Sequence, residues 1–401
     1  MISLHDALEH VLATVPVQPV LDVAVPDALG LVIAADVVAE ELVPGWDNTA
    51  LDGFAVRAGD VAVDGAVLDV VVTIAAGDPG TAAIGPGQAA RIMTGAPIPP
   101  GADTIVMVER TESLDGGARV RVHGTFAEGT GVRRAGDDVR PGDVVLQAGT
   151  AVTVGHLGLL ASIGVQSVRA RRRVRVGVLS TGDELVVGGG PLRRGQVHDS
   201  NRVALVAACR SAGFDAVDLG LVRDDELLIE AAIRSGVAEC DALITSGGVS
   251  MGDFDHVKSV LARIGDMRWM QIAIKPAKPF AFGLVDGVAV FGLPGNPVSS
   301  LVSFELLARP GLLRSSGRRE VQRRRVRATA LEDLRRRRDG KVHFVRVSLS
   351  QDDELGFGAR SAGAQGSHQM AAFAGAGGLA VLPDGDGVPA GSPLEVILLD
   401  C

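Results

Sequence analysis

Tyrosine is absent from this 401-residue chain, and aromatic residues together make up only 3%. Cysteine is nearly as scarce: Cys209, Cys240 and Cys401 stand far apart with no CxxC spacing. That pattern argues against a disulfide framework and against a zinc site. No apolar run is long enough to span a bilayer. The opening MISLHDALEHVLATV reads as an amphipathic helix and lacks the basic start, apolar core and cleavage site of an export signal. A soluble, cytoplasmic protein with no membrane partner is therefore expected. Only four of the 39 basic residues are lysine (Lys258, Lys275, Lys278 and Lys341), and only three asparagines occur (Asn48, Asn201 and Asn296). In a chain that prefers arginine, a retained lysine marks a place where a compact ammonium suits and a planar guanidinium does not. Three of these lysines and all three asparagines fall in segments singled out below; chance placement is the competing explanation.

The net charge of −9 argues against general nucleic-acid binding. One stretch departs from it. Residues 309–338 hold twelve arginines against three acids. They contain no aromatic on which a base could stack. The stretch is read as a solvated linker and strand at a domain boundary, with no nucleic acid as partner.

Hydrophobic residues make up 47%, enough for a sizeable core, and the length predicts two to four domains. The clearest pattern runs from 172 to 315. There RVRVGVLSTG, DAVDLGLV, DALITSGG and GVAVFGLPG read as strands, alternating with helical stretches such as SNRVALVAACRSAGF and DDELLIEAAIRSGVAEC. Alternation of this kind predicts a mostly parallel α/β sheet covered on both faces. Residues 45–144 carry short Val-rich runs broken by Gly, Pro and Asp, an all-β pattern. Residues 26–44 and 145–171 flank it as a small joining domain. Residues 1–25 form an N-terminal helical segment expected to pack on the α/β domain. Residues 316–401 read as a C-terminal β domain, a small barrel or sandwich. The fold class is thus α/β plus all-β in a multidomain chain.

Ligands of such sheets bind beyond the carboxyl ends of the strands, where STGDE, TSGGVS and LPGNPVS all lie. Gly247 and Gly248 let a ligand approach the backbone, and the helix after them offers N–H groups to a phosphate. Asp253 and Asp255 follow within eight residues. They either cap that helix or hold a divalent metal such as Mg2+ beside the phosphate. Asp183 and Glu184, and Asp224 and Asp225, sit at two further strand ends and carry the same two readings. Lys275 and Lys278 stand three apart in the proline-stiffened IKPAKPF, either a rigid anion receptor or an exposed basic pair. In LPGNPVSS, Pro294 and Pro297 bracket Gly295 and Asn296, and Ser299 and Ser300 open a helix, binding an oxyanion or only capping. Asp47, Asp52, Thr94, Asp103, Asp137 and Asp138 lie in turns of the β region.

WDNTALDGFAV, RIMTGAPIPPGADTIVMVE, GVLSTGDELV, TSGGVSMGDFDHVK, IKPAKPFAFG and FGLPGNPVSS occur in this order from one end of the chain to the other. Together they resemble the molybdopterin molybdenumtransferases, the molybdenum-insertion enzymes of molybdenum-cofactor synthesis, which are related to the C-terminal domain of gephyrin. The resemblance implies an elongated four-domain chain acting as a homodimer, with the active site between subunits. It implies release of AMP from adenylylated molybdopterin and insertion of molybdate, with Mg2+ as cofactor. It names the upstream adenylyltransferase as a candidate partner. Carried over by motif, Asp52, Thr94, Asp138, Glu184, Lys275 and Lys278 would be catalytic, and Asp224, Asp255 and Glu184 would hold the metal. Gly247, Gly248, Ser250, Pro294, Asn296, Pro297 and Ser299 would bind substrate, with Arg346 and Ser367 as further molybdate contacts. Phe54, Leu51 and His256 stand where this family commonly has Tyr, Met and Tyr.

Overall fold

The computed structural model describes residues 1–249, 256–352 and 356–399. Residues 175–293 contribute a six-stranded sheet in the order Asp215–Val222, Arg175–Thr181, Ala242–Ser246, Val288–Leu293, Pro279–Val285 and Asp266–Gln271. The first four strands are parallel; Pro279–Val285 runs antiparallel to them, and Asp266–Gln271, antiparallel to it in turn, runs with the four again. Ala242–Ser246 is buried throughout, as a strand covered on both faces must be. The chain leaves Arg175–Thr181 toward one edge and then crosses to the other. The switch point therefore lies between Arg175–Thr181 and Ala242–Ser246, where such sheets open a crevice for ligands.

Two helical layers cover the sheet. On one face Ala7, Val11, Leu205, Val298, Phe304 and Leu312 pack with Phe282 and Phe291. These residues come from the helices Leu4–Thr14 and Ser200–Ser211 and from the helical run of residues 297–315. Fully burying one such phenylalanine stabilises the fold by about 1.5–3 kcal/mol. The N-terminal helix approaches closely because residue 311 is glycine. A Cβ there would stand 2.7 Å from Val11 Cγ1 and 3.0 Å from the Phe291 ring. On the other face Ile229, Ile233, Val257 and Val260 pack against Leu179, Leu243 and Val290.

The sequence reading missed one strand here. Pro279–Val285 forms a hairpin with Val288–Leu293 through Asp286 and Gly287, both at positive φ (+50° and +81°). Asp-Gly is a strong signal for this two-residue turn. The prolines of KPAKP masked the start of the strand.

The β region forms a second six-stranded sheet, ordered Thr104–Met107, Gly53–Val56, Gln88–Ile92, Val67–Ile74, Arg119–Val122 and Thr111–Leu114. A small sheet of Val20–Ala24, Ser167–Arg171 and Val32–Ile33, with the helix Val154–Ser162, encloses Ile33, Leu160, Val168 and Ala170. Val20–Ala24 is thus a strand of this sheet, although residues 1–25 read as one helical segment. The helix ends at Thr14, and Pro16 and Pro19 turn the chain to extended backbone.

In the tail, Val342–Asp352, Gly356–Ser361, Arg325–Ala330, Pro393–Leu398 and Gly378–Leu382 pair in a circle, closing a five-stranded barrel. Its interior mixes small and larger side chains, Ala328, Ala359 and Ala380 with Leu382, Leu394 and Val396, which together fill a narrow barrel. The arginine-rich stretch contains a strand, Arg325–Ala330, with Arg324, Arg325 and Arg327 exposed as read, but Arg336 and Arg323 depart from the solvated reading. The Arg336 side chain is 1% exposed and bonds Asp339, Asp384 and the carbonyls of Lys341, Leu382 and Pro383. Arg323 donates twice to Glu305, at 2.6 and 3.1 Å. Buried guanidinium groups need such partners.

Candidate active site

A cleft of about 680 Å³ opens at the carboxyl ends of the parallel strands. Glu184, Pro294, Asn296, Pro297 and Ser299 line it, as the strand-end argument anticipates. His198, Asp199, Ser200 and His368 line it too, and sequence reasoning missed them; Asn201, marked there only by the scarcity of asparagine, lines it as well. The glycine loop turns beside it. Gly247 (φ +100°) donates its N–H to Leu293 O at 3.1 Å, and a Cβ on it would stand 3.2 Å from Thr181 O. Asn201 fixes these ends together. Its amide donates to Ser246 Oγ at 2.8 Å and to Gly295 O at 2.7 Å. Asp199 caps the helix Ser200–Ser211 and is buried against Arg202 and the Ser180 hydroxyl. Asp199-Ser200 before an apolar run is a cap signal that could have revealed this wall. Ser250, Asp253 and Asp255 lie outside the described residues.

The structure separates acids that sequence leaves alike. Asp225 is a cap, accepting the N–H groups of Leu227 and Leu228. Asp224 instead faces Asp183, and each carboxylate accepts the other's backbone N–H at 3.3 Å. The exposed Glu184 carboxylate lies against Gly182, where a Cβ would meet it at 2.7 Å. Asn296 begins the helix Pro297–Ser303 without a side-chain cap bond.

Lys275 and Lys278 are both exposed. Between them Ala277 holds φ +75°, a left-handed conformation that costs a non-glycine residue about 1–2 kcal/mol. Such strain persists where the surrounding structure imposes it, often at a site of function. Lys275 pairs in register with His343 on the barrel and lines a second cleft of about 640 Å³ with Arg346. Arg346 is 1% exposed. Its guanidinium donates to Ala364 O at 2.9 Å and Gly366 O at 3.1 Å, while its Nε is buried without a partner. Burial alone pulls its pKa below the ordinary arginine value. Ser367 joins the two bodies through its carbonyl, which accepts from Val298 N–H at 3.0 Å.

The β region gathers its own candidates. Asp52 accepts both donors of Thr94. Asn48–Thr49 pairs with Val132–Arg133, and Gly95 donates to Thr49 O, so WDNTALD, MTGAP and RRAGDD adjoin. Asp138 is exposed there, while Asp47 is taken by Arg134 and Ala135 N–H. Asp52, Thr94 and Asp138 do not line the cleft of Glu184 and Asn296.

Residues 2–164 match the family described as MoeA N-terminal region (domain I and II). Residues 177–314 match the probable molybdopterin binding domain, and 315–399 the MoeA C-terminal region (domain IV). The chain is similar to the molybdopterin molybdenumtransferase of Haemophilus influenzae, 39% identical over 352 residues, which cover 86% of this chain and 85% of that one. It is 38% identical over 389 residues to molybdopterin molybdenumtransferase 1 of Mycobacterium tuberculosis, covering 90% of each. Its fold matches the crystal structure of the molybdopterin biosynthesis moeA protein from Pyrococcus horikosii, with a TM-score of 0.81, 30% identity and full coverage of both chains.

Proposed function

The chain belongs to the MoeA family of molybdopterin molybdenumtransferases, and on that premise we propose that it inserts molybdate into adenylylated molybdopterin and releases AMP. The observation that carries this reading is the cleft at the switch point, lined by Glu184, Gly295 and Asn296, with Gly247 packed behind Gly295 and the strained lysine turn leading into Pro279 of the lining. Its Asn201, Asn296 and Ser299 side chains offer hydrogen-bonding groups to a phosphate-bearing ligand next to the glycine loop. Ammonium groups on Lys275 and Lys278 suit a tetrahedral dianion, which has no preferred plane. They and Ser299 would hold molybdate beside the phosphoanhydride that breaks as AMP leaves.

Mg2+ fits the donor set. Asp183 and Asp224 each keep one carboxylate oxygen outside their mutual bonds, and Mg2+ takes one or two carboxylates together with waters and phosphate oxygens. Among the described residues no group of three or more His, Cys, Asp or Glu gathers, so an all-protein cage is not formed there. Asp224 and Glu184 are the described candidates, with Asp255 as the third. When bound, the ion would neutralise charge on the phosphate oxygens. Asp52, Thr94 and Asp138 stand apart from the cleft in one chain. A homodimer in which the β region of one subunit faces the cleft of the other would bring the two sets together.

The preceding adenylyltransferase would need the α/β domain but neither the β region nor the barrel. A gephyrin-like scaffold would tolerate loss of the acids and lysines. The deciding experiment mixes the purified protein with adenylylated molybdopterin, Mg2+ and molybdate and measures AMP. AMP release that depends on molybdate is expected. Its absence in folded protein would favour the scaffold.

A further inference from the structure

Electrostatics sets the problem. A chain with a net charge of −9 repels a dianion. Yet the second cleft, on the barrel side of Lys275, carries the opposite sign. Lys275, Arg335, Arg336, Arg337 and Arg346 line it, against Asp333 as the acid among its lining residues. These cations are not equally neutralised. Arg336 is held between Asp339 and Asp384, and Arg335 reaches Asp333 at 2.9 Å. Lys275, Arg337 and Arg346 have no carboxylate within salt-bridge range among the described residues. Exposure is graded as well. The Arg335 side chain is 85% exposed and Arg337 is exposed, whereas Arg346 is 1% exposed. The cleft is also large. Four oxygens at roughly 30 Å³ each, the share of a water molecule, fill only a fraction of about 640 Å³.

We propose that this cleft is the approach path of the oxyanion: a basic groove whose rim arginines, Arg335 and Arg337, draw molybdate from solvent toward Lys275. The proposal rests on the reading of the chain as a molybdate-using transferase. A groove walled by protein focuses its field, so its cations raise the local anion concentration and the capture rate more than a flat surface would. The rim arginines are exposed and so are screened by salt. They supply neither the resting place of the anion nor the reacting groups. Their removal acts on capture and leaves the chemical step alone.

The test uses the whole chain with Arg337→Glu, alone and combined with Arg335→Gln, and Arg324→Glu as a charge-matched exposed control outside the groove. Molybdate kcat/KM in the AMP-release assay, at saturating adenylylated molybdopterin, should fall roughly three- to tenfold in the groove variants at low salt. It should return toward wild type near 0.5 M salt, where the Debye length is only about 4 Å. The kcat at saturating molybdate should not change, nor should the control. An unchanged kcat/KM, a loss equal at both salt concentrations, or the same loss in the control overturns the proposal. If wild type releases no AMP in response to molybdate, the functional reading fails first. Calorimetric titration with molybdate alone then decides the groove: weaker binding in the groove variants at low salt supports it, and equal binding overturns it.

Discussion

Thr94 gives one oxygen of Asp52 two hydrogen bonds, its N–H at 2.6 Å and its hydroxyl at 2.8 Å, both to Oδ1. The backbone bond first, then the hydroxyl, hold the Asp52 carboxyl below the usual carboxylate range. Thr94→Val keeps the N–H and removes the hydroxyl, so the Asp52 pKa should rise part of the way back. A carboxylate with a depressed pKa stabilises the fold above its unfolded pKa, and that contribution is lost as pH falls through the folded value. The variant should therefore lose this contribution at a slightly higher pH. Carboxyl-carbon NMR titration of Asp52 checks the shift; an unmoved titration would show that the hydroxyl bond is not formed in solution.

Asn201 is placed to hold two strand-end loops at once. Asn201→Ala strands the Ser246 hydroxyl and the Gly295 carbonyl, at about 1 kcal/mol for each lost bond. Asn201→Asp has no donor for either group and sets a carboxylate oxygen against the Gly295 carbonyl, so it should be no more stable than Ala. Urea unfolding reads the stability. Steady-state kinetics should show a raised KM for adenylylated molybdopterin with the molybdate KM nearly unchanged.

Arg336 makes the barrel rim one network of two carboxylates and three carbonyls. Lysine has no planar fork and cannot reach all five. Arg336→Lys should destabilise the protein by roughly 2–4 kcal/mol, because the ammonium keeps the charge but leaves several of the buried acceptors without a donor. Denaturant titration of the two proteins side by side measures the difference, and equal midpoints would refute it.

His343 should give the barrel a pH dependence near neutrality. Burial, more than any other influence, pushes its pKa below 6.5, against the pull of Asp339 at 3.1 Å. The unfolded chain then binds the proton more readily than the folded one. Stability is full above about pH 6.5 and falls as pH drops below it. His343→Gln should flatten that dependence in thermal scans between pH 7.5 and 5.5. An equal slope in the variant would assign the effect to another group.

The parallel core was legible because its strands are apolar nearly end to end and its loops carry Gly and Pro. GVLST, ALITS and VAVFGL all sit in the sheet as read. The loops beyond them do adjoin, through Gly247 N–H and Leu293 O. Adjacent acids were harder to tell apart. Asp224 and Asp225 share every local feature, and only the fold turns one to Asp183 and the other to its own helix. His368 reaches the cleft from the barrel, a tertiary placement without a local signal. The burial of Arg336 depends on Asp384, 48 residues away, so charge density alone misjudged that residue.

The lysine turn has a mechanical consequence. Lys275 is stitched in register to His343 of the barrel, while the Lys278 carbonyl accepts the N–H of Ile272, which packs in the core of the α/β sheet. The two ends of the turn are thus anchored to different sheets, three residues apart, over a core that Phe344 and Leu379 of the barrel share with Ile272. Any pivot of the barrel against the sheet changes the gap between them. If both ammonium groups hold one oxyanion, as proposed, its affinity would depend on how the barrel sits against the sheet.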